Sequence, residues 1–231
     1  MRHQEENTSD LRKKKSVRTA VAANYVKRIA RLYAKLKMSL VPYEQISKFV
    51  PHGGKVLDVG CGFGILSFFL SFESPNRKVF GVDPNSERIS SIPNIVATIP
   101  ENVSFNTGSV SVVASESFDC VVMEEVLHHI AKEDQQQVLE QIHSLLADDG
   151  TFILRENNKR LSFRYIFVNL PAEYLLYPTQ EKANFRTNAE FEYMLSQAGY
   201  EVEAFSAPWY WLVDISVFVC RKRPASSELC R

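Results

Sequence analysis

Apolar positions along the chain follow two periods. Between residues 16 and 38, Val17, Val21, Tyr25, Ile29, Leu32 and Leu36 recur three and four apart, while Lys27, Arg28, Arg31, Lys35 and Lys37 fall mainly on the other side. That pattern predicts one basic amphipathic helix. Pro42 can open a short helix through Val50. Beyond it, short apolar runs alternate with helical periods. Strands are expected around Val56–Val59, Val79–Val82, Val103–Asn106, Phe118–Met123, Thr151–Arg155, Glu201–Phe205 and Ile215–Arg221. Helices are expected over Phe63–Leu70, Asn85–Val96 with a break near Pro93, Lys132–Leu146 and Asn188–Gln197, the last capped by Gly199. Strands and helices in alternation with short links imply an α/β fold with a parallel sheet wound on both sides.

The first strand leads directly into Gly60-Cys61-Gly62-Phe63-Gly64 and then an apolar helix. Three glycines at that turn permit positive φ and close approach of a ligand to the backbone. The helix that follows offers its first amides to an anionic group. The nicotinamide fingerprint is Gly-x-Gly-x-x-Gly, which would require glycine where Ile65 stands. Instead Asp58 precedes the first glycine by two residues, and Asp83 follows Gly64 by nineteen, at the end of the second strand. A carboxylate there can accept hydrogen bonds from both hydroxyls of a ribose.

With these residues the sequence resembles the class I S-adenosylmethionine-dependent methyltransferases. The resemblance spans about residues 50–221 and continues in Phe118–Ile130, Leu145–Leu154 and Ala198–Val202. It implies a Rossmann-like, doubly wound, seven-stranded sheet whose last strand inserts antiparallel between strands five and six. It also implies a cofactor site built from Asp58, Gly60, Cys61, Gly62, Gly64 and Asp83, with Pro84 and Val110 flanking the adenine and Glu124 facing the methionine portion. Ser109 stands where the family commonly has Asp. For an oxygen acceptor the candidate bases are His128 and His129, ahead of Glu124 and Glu125; a structural role for either imidazole is the alternative. Asp119 reads as structural. Two adjacent histidines without a Cys or acidic set at ligand spacing do not make a metal site. The chain lacks Asn-Pro-Pro-Tyr or Asp-Pro-Pro-Tyr after strand four, which the family's amino-methylating enzymes carry. Small-molecule or lipid-like acceptors are favoured, and there is no strong nucleic-acid signal.

Charge adds an asymmetry. Net charge is zero, yet residues 1–40 hold eleven Lys or Arg against three Asp or Glu. The basic helix reads as packed over the domain with a solvated face, as a lid, or as a surface for peripheral contact with an anionic membrane or nucleic acid through residues 12–37. Tyr25, Tyr33 and Tyr43 could reach the cofactor's methionine end. Four cysteines without paired spacing, no apolar leader and no spanning run set the expectation of a cytoplasmic protein, membrane-peripheral if the helix docks. The expected organisation is a basic tail over 1–15, N-terminal helices or lid over 16–50, a methyltransferase domain over 51–223 and a loose tail over 224–231. Residues 157–187, aromatic-rich and too long for a plain connector, form either a substrate cover or a packed helical hairpin.

Three functions stay open: a methyltransferase for a small apolar acceptor, one for RNA or protein docked through the basic head, and a scaffold subunit without catalysis.

Overall fold

A computed structural model describes residues 15–157, 184–206 and 215–223. The basic run Arg12–Lys14, nearly all of the insertion 157–187, the stretch leading into the last strand and the tail from 224 lie outside the described residues. Among the described residues there are seven strands: β1 (Gly54–Val59), β2 (Arg77–Asp83), β3 (Val103–Thr107), β4 (Phe118–Glu124), β5 (Leu146–Asn157), β6 (Tyr200–Ser206) and β7 (Ile215–Lys222). They form one sheet in the order β3-β2-β1-β4-β5-β7-β6. Pairs β1–β2, β2–β3 and β4–β5 are parallel, whereas β7 runs antiparallel to both β5 and β6. This is the Rossmann-like arrangement expected from the sequence, with the last strand inserted as the resemblance implied. The chain divides into two compact units, one ending at Ala114 and the other beginning at Ser115.

In the first unit, β1 is buried at Val56, Leu57 and Val59, and helix α4 (Ile65–Glu73) is buried along Ile65–Ser71. A strand and helix apolar on all sides can only be internal, and they make this unit's centre. A fully buried cation, Arg77, ties the surrounding loops together. Its guanidinium donates to the carbonyls of Val50, Pro51 and Leu70 and to Glu73 at 2.7 Å. Arg77→Leu would leave three carbonyls, those of Val50 and Leu70 buried, and a carboxylate without their donor. It should cost about 3–5 kcal/mol of stability in urea denaturation, and an unchanged midpoint would refute this account of the hub.

The single N-terminal helix expected from the periodicity is two. Helix α1 covers residues 15–24 and α2 covers Arg28–Leu40. The break is made by backbone pairing. Tyr25 bridges Val96, Val26 N–H donates to Ile95, and the Asn24 side chain is bonded to Thr98 on both sides. The apolar stripe is divided accordingly: Val17, Val21 and Tyr25 are core, whereas Ile29, Leu32 and Leu36 are exposed and α2 buries Ala34 and Met38 instead. Helix α3 (Tyr43–Ser47) follows, with Tyr43 packed on Phe69 in the core rather than free to meet a ligand. Helix α5 (Ser86–Ile95) runs through Pro93 without the expected break and ends two residues later.

In the second unit, helix α6 (Gln135–Leu145) joins β4 to β5, and α7 (Asn188–Gln197) precedes β6. Strand β5 starts five residues earlier than its apolar core suggests, because Leu146 pairs with Phe118 before the register shifts and Thr151 meets Cys120. The intervening residues 147–150 form the irregularity. A capping box between Thr187 and Glu190 starts α7, and Gly199, at φ 91°, ends it as expected.

Candidate active site

The glycine turn is suspended from the end of β2. Gly60 and Cys61 both donate to the carbonyl of Val82, and Gly64 closes the turn by donating to Cys61. Gly60, Gly62 and Gly64 all have positive φ, so each needs glycine for conformation alone. Gly64 needs it for space as well. A Cβ there would lie 2.6 Å from Phe105 Cζ, whereas one at Gly62 would meet nothing within 4 Å. Gly64→Ala should therefore lose about 2–4 kcal/mol through backbone strain and overpacking. The check is a urea melt, and a cost near zero would count against the contact.

Asp83, almost fully buried, is the strut under this turn. One carboxylate oxygen accepts from Gly62 N–H and the other from Asn85 N–H, each at 2.9 Å, with Arg88 4.0 Å away. Its carbonyl accepts from Gly108, which brings the next segment alongside. There Ser109 caps a short 3-10 turn (Val110–Val113) and its hydroxyl lies 2.8 Å from that of Ser111. Val110 is buried and Pro84 exposed. The structure thus brings Gly62, Asp83, Gly108 and Ser109 together in one unit. Asp58 is also buried, and its carboxylate takes a 2.6 Å hydrogen bond from Ser67 in α4. Burial, together with Asp58 and Asp83, pushes the Cys61 thiol far above its ordinary range, so it stays protonated and is no nucleophile.

Two aromatics outside the turn hold it from the N-terminal side. The Tyr25 hydroxyl donates to the carbonyl of Phe63 at 2.8 Å, and Tyr33 meets the Phe63 ring edge-on at 5.9 Å. Burial raises the Tyr25 phenol well beyond its ordinary value, which keeps it a donor.

The second unit carries a cluster of charge at the ends of β4 and β5. Glu124 and Glu125 lie 3.4 and 3.2 Å from the buried Arg155 guanidinium. Glu125 adopts φ 55°, a left-handed backbone that few residues other than glycine take, and its N–H donates to the backbone carbonyl of Arg155. That turn aims the next amides at Glu156. One oxygen of the fully buried Glu156 accepts from Val126 and Leu127 N–H at 2.8 and 2.6 Å, and the other lies 2.6 Å from His128 Nδ1. His128 is buried, stacked on Phe185 and 4.0 Å from the exposed His129 ring. Gln135 and Asn184 brace this loop through the carbonyls of Leu127 and Ile130. Sequence reasoning missed Arg155, Glu156 and Gln135. The available signal was Arg155-Glu156-Asn157, three polar residues closing an apolar strand at the same end as Glu124 on the neighbouring parallel strand.

A family model described as "Methyltransferase domain" matches residues 25–204, more than three quarters of the chain. The chain belongs to this methyltransferase family. Its cofactor is S-adenosylmethionine, and the open space beside Gly62 together with the buried carboxylate of Asp83 fits such a ligand. The chain is similar to the "Ubiquinone biosynthesis O-methyltransferase" of Psychrobacter arcticus, 28% identical over 191 residues, covering 74% of this chain and 72% of that one. It is similar also to the mitochondrial protein of the same name from Bos taurus, 28% identical over 71% of this chain and 48% of that one. Among solved structures, human N-acetylserotonin methyltransferase in complex with S-adenosylmethionine superposes with a TM-score of 0.64 at 18% identity, covering 84% of this chain and 55% of that one. The 1,6-didemethyltoxoflavin-N1-methyltransferase of Burkholderia thailandensis gives 0.61 at 21%, covering 90% and 88%. The methyltransferase thus spans about half the length of some of the relatives it matches. Among its described residues no helix is long and apolar enough to cross a membrane.

Proposed function

We propose that this methyltransferase methylates a hydroxyl oxygen on a small, apolar, lipid-like acceptor, in the manner that the names of its ubiquinone-biosynthesis relatives describe for those proteins. The observation that carries the reading is the Glu156–His128 pair, a device for holding a proton acceptor. The bound cofactor supplies a methyl group on a sulfonium, open to in-line displacement by oxygen. Asp83 holds the ribose, using acceptor positions left over from its two amide bonds. Gly60, Cys61, Gly62 and Gly64 let the backbone approach the cofactor, Pro84, Ser109 and Val110 border the adenine, and Glu124 faces the methionine portion.

A carboxylate can only accept, so Glu156 fixes the proton of His128 on Nδ1 and leaves the ring's lone pair on Nε2. His128 then takes the acceptor's proton at Nε2, and Glu156 stabilises the imidazolium that results. His129, exposed and packed against that ring, lines the same loop. Arg155 keeps Glu124 and Glu125 in place without adding net positive charge to the cluster.

The competing reading is an RNA or protein acceptor docked through the basic N-terminus. A transfer assay with labelled S-adenosylmethionine decides between them, using hydroxylated aromatic compounds with apolar tails of increasing length beside bulk RNA and protein. Turnover that rises with tail length supports the proposal. Label found only in RNA or protein would sink it.

A further inference from the structure

Helix α2 turns its stronger apolar face outward. Ile29 is 85% exposed, Leu32 69%, Leu36 55% and Leu40 48%, while the side facing the core carries only Ala34 and Met38. At the helical period those four side chains form one continuous stripe, with the exposed Arg28 and Lys35 along one border and Lys37 along the other. No Asp or Glu occurs from residue 11 to residue 43, a span with ten Lys or Arg. A helix that buries alanine and exposes leucine is arranged for a second apolar phase, and a basic border without carboxylates selects an anionic one.

We propose that α2 lies in the plane of an anionic phospholipid surface, with Ile29, Leu32, Leu36 and Leu40 in the acyl boundary and Arg28 and Lys35 against headgroup phosphates. Nucleic acid would neutralise the basic border but leave the stripe in water. A second copy would bring two basic borders together. The lipid surface satisfies both features at once. The same helix holds the cofactor turn through Tyr33 on Phe63, and Arg31 Nε donates to the carbonyl of Tyr25, whose hydroxyl anchors Phe63. Docking therefore sets the glycine turn beside the phase in which an apolar acceptor would dissolve. That consequence rests on the proposed acceptor class; the docking does not.

The test is co-sedimentation of the full chain with phosphatidylcholine vesicles with and without phosphatidylglycerol, at low and high salt. Wild type should pellet with the anionic vesicles and be released by salt. Leu32→Glu with Leu36→Glu should bind at least roughly 100-fold more weakly, since two leucines lose their burial. Arg28→Gln with Lys35→Gln should bind roughly 10- to 30-fold more weakly. Each variant should still bind S-adenosylmethionine in calorimetry, which shows it folded and tests the methyltransferase reading separately. The proposal is overturned if folded wild type ignores anionic vesicles, if the leucine variant binds them equally, or if neutral vesicles bind as tightly regardless of salt. It is overturned too if sedimentation velocity shows a dimer that the leucine variant dissolves.

Discussion

Asp83→Ala should weaken S-adenosylmethionine binding by about 10²- to 10⁴-fold, because two charge-assisted hydrogen bonds of roughly 1.5–3 kcal/mol each are lost. The effect has two sources. The carboxylate is the proposed ribose acceptor, and it also receives the amides of Gly62 and Asn85, which shape the turn before any ligand arrives. Asparagine does not rescue it. Each oxygen already faces a backbone N–H, so whichever way the amide points, its NH₂ opposes a donor. Calorimetric titration of S-adenosylmethionine and its demethylated product into wild type, Asp83→Ala and Asp83→Asn reads this directly. A folded alanine variant with unchanged affinity would remove Asp83 from the site.

Glu156→Gln should lower kcat by about 10²- to 10⁴-fold on the acceptor that wild type methylates, with little change in cofactor affinity. The amide oxygen can still accept from Val126 and Leu127, so the loop is kept. The amide nitrogen must then donate to His128 Nδ1, which moves the ring proton to Nε2 and takes away the lone pair that receives the acceptor's proton. A merely structural Glu156 would give a lower denaturation midpoint and a near-normal turnover number. The proposed role gives the opposite, and it predicts that adding external imidazole restores part of the rate in His128→Gly. If Glu156→Gln turns over normally, the base lies elsewhere and His129 becomes the residue to replace.

The sequence told most where chemistry and fold coincide. Asp58, the glycines of the turn and Asp83 sit at fixed offsets from two apolar strands, so their placement could be counted without coordinates. Glu156 could not be found that way. Its importance comes from Glu125's left-handed backbone, which aims two amides at it, and from His128 arriving across 28 residues. The N-terminal stripe misled for a related reason. Periodicity reports which residues share a helix face but not what the face meets, and the backbone bridge from Tyr25 to Val96 reset the helix after its first three apolar positions. The extra length of β5 was hidden because Asp148, Asp149 and Gly150 carry no strand signal, and only pairing with Phe118 extends it.

The place of β7 has a consequence for the order in which the molecule can be made. Among the described strands, β6 is synthesised before β7 yet joins the sheet only through it, seven residues of β6 pairing with β7 and another seven of β5 pairing on β7's other side. A nascent chain that has emerged only as far as residue 206 therefore has no partner to offer β6, and it leaves the buried edge of β5 open. The parallel strands up to β3 can pair as they leave the ribosome, but the far side of the sheet must wait until β7, which follows all the other described strands in the chain, has emerged. Until then that edge is the part of the newborn chain most exposed to pairing with a neighbour.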